Sequence, residues 1–102
     1  MNTLIKDIPH RSSNIVFRKI GDEFILVPIG NNVADLENVY LLDDVGAAIW
    51  ALIDGKRDIQ GLCDAVCAEY DVARDKALAD IEEFLDNLRL FGAVAFKDGA
   101  VP

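Results

Sequence analysis

Hydrophobic and polar positions follow two different periods along this chain, and the change comes after residue 42. Before it, β-branched and aromatic residues occur in short runs over residues 14–20, 23–29 and 36–42. The turn sequences Gly21-Asp22 and Gly30-Asn31-Asn32 separate these runs. Short apolar runs between glycine-containing turns are typical of antiparallel strands joined by hairpins. The first part of the chain therefore predicts a three-stranded antiparallel sheet.

Two prolines, Pro9 and Pro28, limit where strands can form in this part of the chain. Residues 1–13 have a mixed composition and include Pro9. We predict a flexible N-terminal arm over these residues, followed by a single domain over residues 14–102. Pro28 cannot donate a hydrogen bond to a sheet, so we expect it at a strand end or on an exposed side.

After residue 42, apolar residues recur every three or four positions, which is the period of an amphipathic α-helix. The first helix is predicted to be capped by Asp43 or Asp44 and to stop at Gly55. Asp58 caps the second helix and Gly92 ends the third. Residues 93–97 follow as a wing strand. Strands followed by helices indicate the α+β class, here with three helices arranged as a winged helix-turn-helix.

Composition restricts the partners of such a domain. The chain has 102 residues and a net charge of -8, from 18 acidic and 10 basic side chains. This charge disfavours nucleic acids and anionic membrane surfaces and favours basic partners. No apolar run is long enough to cross a bilayer, and the first residues lack the pattern of a signal peptide. We therefore predict a cytoplasmic protein with reduced cysteines.

The chain offers few candidates for chemistry. Cys63 and Cys67 share one helical face, and in a small metal or redox protein they could bind the metal or carry the redox reaction. Because both lie on the apolar stripe of the helix, we predict that they pack in the core. His10 is the single histidine, and Ser12 and Ser13 follow it in the predicted arm, where nothing holds a catalytic geometry. We therefore predict neither a catalytic site nor a metal or cofactor site, and favour a binding module over an enzyme.

The third predicted helix is rich in acidic residues. Such a face is either simply solvated or the wall of a groove for a basic peptide. The alternative function is a winged-helix DNA-binding transcriptional regulator. The acidic third helix disfavours this alternative, because DNA affinity comes largely from basic residues that neutralise phosphates. The acidic residues of the third predicted helix are Asp75, Asp80, Glu82, Glu83 and Asp86, and its basic residues are Arg74, Lys76 and Arg89.

The order and spacing of several segments resemble the PqqD family, the peptide chaperones of pyrroloquinoline quinone (PQQ) biosynthesis. The likeness extends from Ile15 to Lys97 and is closest around Gly46 to Trp50 and Asp54 to Arg57. Asp43 departs from the family, which often has asparagine there. The segments are Phe17-Arg18-Lys19, Phe24-Ile25-Leu26-Val27, Tyr40 to Ile59, Tyr70, and Asp80 to Leu88 leading to Gly92.

The resemblance implies a recognition element for ribosomally made, modified peptides. Such a domain binds the leader of a precursor peptide by strand addition and presents it to a modifying enzyme, commonly a radical S-adenosylmethionine enzyme. The peptide would lie between the third strand and the third helix. A second copy of the chain pairing along the same strand would instead give a homodimer. The implied peptide-binding residues are Glu37, Val39, Tyr40, Leu41 and Leu42 on the strand and Asp80, Phe84, Asn87, Leu88 and Phe91 on the helix.

Overall fold

The computed structural model describes residues 7–30, 33–34 and 38–97, which form an α+β fold. Strands come first, three helices follow, and one further strand ends the fold, as the change of period predicts. The elements are β1 (Ile8–Arg11), β2 (Ile15–Ile20), β3 (Glu23–Gly30), β4 (Val33–Ala34), β5 (Tyr40–Leu42), α1 (Asp44–Leu52), α2 (Ile59–Glu69), α3 (Arg74–Phe91) and β6 (Val94–Lys97).

The main sheet is antiparallel and three strands wide, which confirms the prediction. β2 and β3 form a hairpin whose two-residue turn, Gly21-Asp22, has the positive φ of +61° at Gly21 that a tight turn needs. The other side of β3 pairs with β5 near its start and with β4 near its end. Within the predicted third strand, residues 36–42, the structure has β5 at residues 40–42. β4 precedes the predicted start, and residues 35–37 lie outside the described residues.

Pro28 lies inside β3, not at a strand end. It is placed between the part of β3 that pairs with β5, Phe24 to Leu26, and the part that pairs with β4, Ile29 and Gly30. A proline is tolerated at such a gap because no ladder hydrogen bond is lost there.

Two aspartate caps and one glycine set three of the helix ends where the sequence predicts them. The predicted stop of the first helix at Gly55 is wrong, because α1 ends at Leu52 with Ile53 as its C-cap. Asp43 accepts a hydrogen bond from the backbone N–H of Gly46 at 2.6 Å, so Asp43 caps α1, not Asp44. Asp58 accepts from the N–H of Gly61 at 2.7 Å and caps α2. α3 ends at Gly92, which has the left-handed φ of +91° typical of a helix C-cap.

The prediction of a flexible arm over residues 1–13 is wrong for β1. This strand pairs antiparallel with β6, with Ile8 opposite Lys97. Arg11 donates to the carbonyls of Trp50 at 2.9 Å and Ala51 at 3.1 Å, and its guanidinium lies 5.2 Å from the centre of the Trp50 ring. β1 thus fastens the end of α1 to the last strand. Residues 1–6 lie outside the described residues.

The core lies between the three helices and one face of the main sheet. The prediction that the cysteines pack as hydrophobic residues is confirmed: Cys63 is fully buried, and Cys67 packs against the core. No helix in the described ranges has both the length and the hydropathy needed to cross a membrane. The largest fully buried side chains are Leu26, Ile53, Ile59, Leu62, Ile81, Leu85 and Leu88, with Pro9 and Cys63.

We expect Arg11→Ala to lower the free energy of unfolding by about 1–2 kcal/mol, because it removes two charge-assisted hydrogen bonds at the end of α1 and a cation–π contact. Urea denaturation followed by circular dichroism measures the change. Arg18→Ala is the matched control, since Arg18 is exposed on β2. Equal stability of the two variants would contradict this role of β1.

Candidate functional site

The hairpin turn determines which backbone groups of β3 face each neighbour. Ile20 and Glu23 flank a two-residue turn and so form a hydrogen-bonded pair. The N–H of Ile29 donates to the carbonyl of Asn14 at 2.7 Å, in the same alternation. Odd-numbered residues of β3 therefore direct their N–H and C=O toward β2. The even-numbered ones direct theirs to the other side, where β5 lies.

The same alternation leaves Leu41 with its backbone groups directed away from the sheet. Phe24 pairs with Leu42, and Leu26 pairs with Tyr40, so Tyr40 and Leu42 use their backbone groups on β3. Leu41 lies between them, opposite Ile25. Within the described residues, β5 pairs with β3 alone. Its outer edge, at Leu41, therefore offers a donor and an acceptor to another extended chain.

Side chains of β5 alternate between the core and solvent. Leu41 is 65% exposed, whereas Leu42 is buried in the core. The Tyr40 ring lies 5.4 Å from the ring of Phe91 at the end of α3, with the two ring planes tilted by 59°. This aromatic contact holds the open edge of β5 beside α3.

One face of α3 borders a groove, which is lined by Asp43, Val45, Gly46, Ile49, Asp80, Glu83, Phe84 and Asn87. Asp80, Phe84 and Asn87 follow one another at spacings of four and three residues, which places them on the same face. Together with Glu83 they line a shallow cavity of about 250 Å³. Phe84 is half-buried, and Asn87 and Asp80 are exposed.

The end of β5, the start of α1 and this face of α3 enclose a second, larger part of the groove, of about 310 Å³. Gly46 lets them approach: a Cβ there would lie 3.4 Å from a ring carbon of Phe84 and 3.1 Å from the carboxylate of Asp43. The residues that line this part are Asp43, Val45, Gly46, Ile49, Asp80 and Phe84.

The structure separates the predicted site residues into three groups. In the first group, Asp80, Phe84 and Asn87 line the groove. Leu41 lies on the open edge of β5, Tyr40 and Phe91 contact each other beside that edge, and Val39 is half-buried just before β5. Leu88 is a correction: it is 0% exposed and packs in the core, since it continues the stripe of Ile81 and Leu85, so it cannot touch a docked peptide. The side chain of Leu42 is likewise in the core. Glu37 lies outside the described residues.

Sequence reasoning missed Val45 and Ile49 as groove residues. Both belong to the apolar repeat of α1; Ile49 is buried in the core, whereas Val45 is 44% exposed at the groove. The available signal was position: Val45 lies in the first turn of α1, two residues after the cap Asp43.

The groove is acidic. Asp43 and Asp80 line it, with Glu83 beside them, and Glu83 has no ion-pair partner within the described residues. Lys76 lies 3.3 Å from Asp80, but both side chains are more than half exposed, so the pair contributes little and can exchange partners. A bound cation would therefore meet a field of negative sign.

Within the described residues, no three His, Cys, Asp or Glu side chains come together as a metal site would require. Burial raises the pKa of the Cys63 thiol, and the neighbouring Cys67 raises it further. The thiol is therefore neutral at pH 7, and reactivity requires the thiolate.

We expect Cys63 in the folded protein to react with iodoacetamide at least ~10-fold more slowly than in urea at pH 8, because it is buried and its pKa is raised. A Cys67→Ser variant isolates the Cys63 signal in mass spectrometry. Because the pKa of Cys63 is raised in the folded protein, the free energy of unfolding falls as the pH rises from the pKa of this thiol in the unfolded chain toward its pKa in the folded protein. Equal rates with and without urea would contradict the burial of Cys63.

The sequence and the fold are similar to those of known proteins. Residues 23–92 match the family model described as "Coenzyme PQQ synthesis protein D (PqqD)". Among solved structures, the chain is similar to one described as "TbiB1 in Complex with the TbiA(beta) Leader Peptide", with a TM-score of 0.67 and 28% identity. That alignment covers 91% of this chain and 99% of the other. No curated protein matched the sequence.

Proposed function

This chain belongs to the PqqD family, and we propose that it is a non-catalytic chaperone that binds the leader of a ribosomally made precursor peptide. The observation that carries the proposal is the outward-directed backbone of Leu41, held beside an acidic and aromatic face of α3. The similar structure that contains a leader peptide supports the same use of the fold.

In this proposal the leader adds as a strand to the outer edge of β5. Main-chain hydrogen bonds to the N–H and C=O of Leu41 supply affinity that is independent of sequence. Every second side chain of the leader then faces α3, where Phe84 and Phe91 offer apolar contacts and Asn87 a polar one. Val39, two residues before Leu41, extends the edge. Tyr40 acts through its contact with Phe91.

The proposal also covers the partners and the setting. The bound leader is presented to a peptide-modifying enzyme of the radical S-adenosylmethionine type, in PQQ biosynthesis or a related peptide pathway, in the cytoplasm. The three helices and the β1–β6 ribbon form its winged helix-turn-helix part. A homodimer through β5 would compete with the leader for the same edge.

A titration of ¹⁵N-labelled protein with a synthetic leader, encoded beside this gene, tests the proposal. We expect amide shifts at Val39 to Leu42 and along the Asp80 to Phe91 face of α3. Amides of β1 and β6 serve as internal controls. Shifts absent from β5 and α3 at saturating peptide, or confined to the β2 edge of the sheet, would reject the proposal.

We expect Asp80→Lys to weaken binding of a basic leader by about three- to tenfold at low salt, because it replaces an acid of the groove by a cation next to Lys76. Glu82→Lys is the matched control, with the same change of net charge away from the groove face of α3. Isothermal titration at two salt concentrations measures both. Equal affinities would mean that this acidic face is only solvated.

A further inference from the structure

A separate apolar cavity of about 190 Å³ opens beside the groove, between α1, the end of α2 and the start of α3. Its mouth shares three residues with the groove, namely Val45, Ile49 and Asp80. Its wall is almost entirely hydrocarbon. Besides Val45 and Ile49, the side chains that form the wall include Val66, Val72, Ala77 and Ile81.

We infer that this cavity receives one bulky apolar side chain of the leader, aromatic or branched aliphatic, and that a Lys or Arg beside that residue pairs with Asp80. The inference rests on the proposed function and deepens it. It concerns a specificity pocket beyond the end of β5, where the backbone ladder no longer guides the peptide.

The size and lining of the cavity fit this occupant. An apolar cavity of ~150 Å³ in another protein is large enough for benzene and stays free of water. A cavity of 190 Å³ lined mainly by valine, alanine and isoleucine, together with Tyr70 and Asp80, therefore accepts a phenyl or leucyl group. A polar side chain would lose its hydration against the hydrocarbon part of this lining.

The position of the cavity fits a peptide that is already docked on β5. β5 ends at Leu42, Asp43 caps α1, and Val45 stands at the cavity mouth. In this proposal, a strand paired at Leu41 that continued past the end of β5 would pass over these residues. Its next side chains would then face the opening, where Val45 is exposed.

The charge at the mouth specifies the neighbour of the apolar residue. Asp80 lines both the cavity and the groove, and its present partner, Lys76, is an exposed side chain of the same helix. A cation of the leader can replace Lys76 at little cost, because such exposed pairs are weak. The leader motif is therefore an apolar residue next to a cationic one.

Ala77→Leu tests the inference by filling the cavity with a side chain of the protein itself. We expect the affinity for the synthetic leader to fall roughly tenfold, equivalent to ~1.4 kcal/mol. Ala79→Leu, the same substitution on the exposed side of α3, should leave affinity within about twofold. Alanine replacement of the anchoring leader residue should weaken binding to the parent but not further to Ala77→Leu.

Val45→Lys is a second variant, and it does not depend on how Ala77→Leu packs, because Val45 is exposed. It should weaken the same leader about tenfold or more by covering the mouth and repelling the cation. Leu90→Lys, on an exposed position of α3, is its control.

The outcomes separate the two proposals. A leader that binds the parent but binds both pocket variants equally well would overturn the pocket, leaving strand addition intact. The cavity would then be a packing void, and Ala77→Leu would change only the melting temperature. A leader that fails to bind the parent would overturn the proposed function and the pocket together.

Discussion

Replacing Leu41 by proline is expected to lower the affinity for the leader roughly a hundredfold while the fold persists. Proline removes the N–H of Leu41, which the strand alternation directs outward to the peptide. The bonds that hold β5 on β3 come from Tyr40 and Leu42 and are not affected. Proline is tolerated on an edge strand when its nitrogen faces solvent. Isothermal titration and circular dichroism measure affinity and fold.

Two variants show whether the backbone or the side chain of Leu41 carries this effect. Leu41→Ala keeps the N–H and should bind within about threefold of the parent, because the side chain points to solvent. Tyr40→Pro removes a ladder bond to β3 and should destabilise the sheet itself. A Leu41→Pro variant that folds and binds the leader like the parent would contradict strand addition at this edge.

Trp50→Ala is expected to lower the free energy of unfolding by about 3–5 kcal/mol, the largest loss of stability among the changes considered. Trp50 is 4% exposed in the core, and its ring and carbonyl both contact Arg11 of β1. Truncation leaves a cavity and loosens β1 at once. For a domain of ordinary stability, of about 5–15 kcal/mol, this is a substantial fraction.

Urea denaturation followed by circular dichroism measures the effect, because the variant lacks the single tryptophan as a fluorophore. Val45→Ala, on the same helix but exposed at the groove, should change stability by less than about 1 kcal/mol. A Trp50→Ala variant as stable as Val45→Ala would show that the packing of α1 against β1 is not as described.

Local signals in the sequence were sufficient for most of the fold. Asp43, Asp58 and Gly92 act at helix ends through hydrogen bonds or backbone angles within three or four residues. Gly21-Asp22 acts in the same way at the hairpin. Such features depend on neighbours along the chain, so they are visible without a structure.

Contacts between distant parts of the chain were not visible in the same way. Ile8 to Arg11 carry no strong strand pattern, and their partner, β6, lies at the other end of the sequence. The sequence likewise did not indicate β4, a two-residue strand that pairs with β3 before the predicted third strand begins. A strand whose pairing partner is remote in the sequence cannot be identified from the residues next to it alone.

Side-chain direction was the part of the site that the sequence left open. Phe84 and Leu88 are both apolar residues of α3, four positions apart, yet Phe84 borders the groove and Leu88 is fully buried. Val45 belongs to the apolar repeat of α1 but is 44% exposed. The apolar stripe of a helix is wider than the part of the helix surface that packs in the core. Which residues at the edge of the stripe are exposed therefore depends on packing against other elements.

Amide hydrogen exchange at Leu41, followed residue by residue with and without the leader, tests the central claim most directly. In the free protein we expect the Leu41 N–H to exchange much faster than those of Tyr40 and Leu42, which bond to β3. Saturation with the leader should slow exchange at Leu41 by at least ~10-fold. An amide at Leu41 that is already protected in the free protein, or that exchanges unchanged in the complex, would contradict the account.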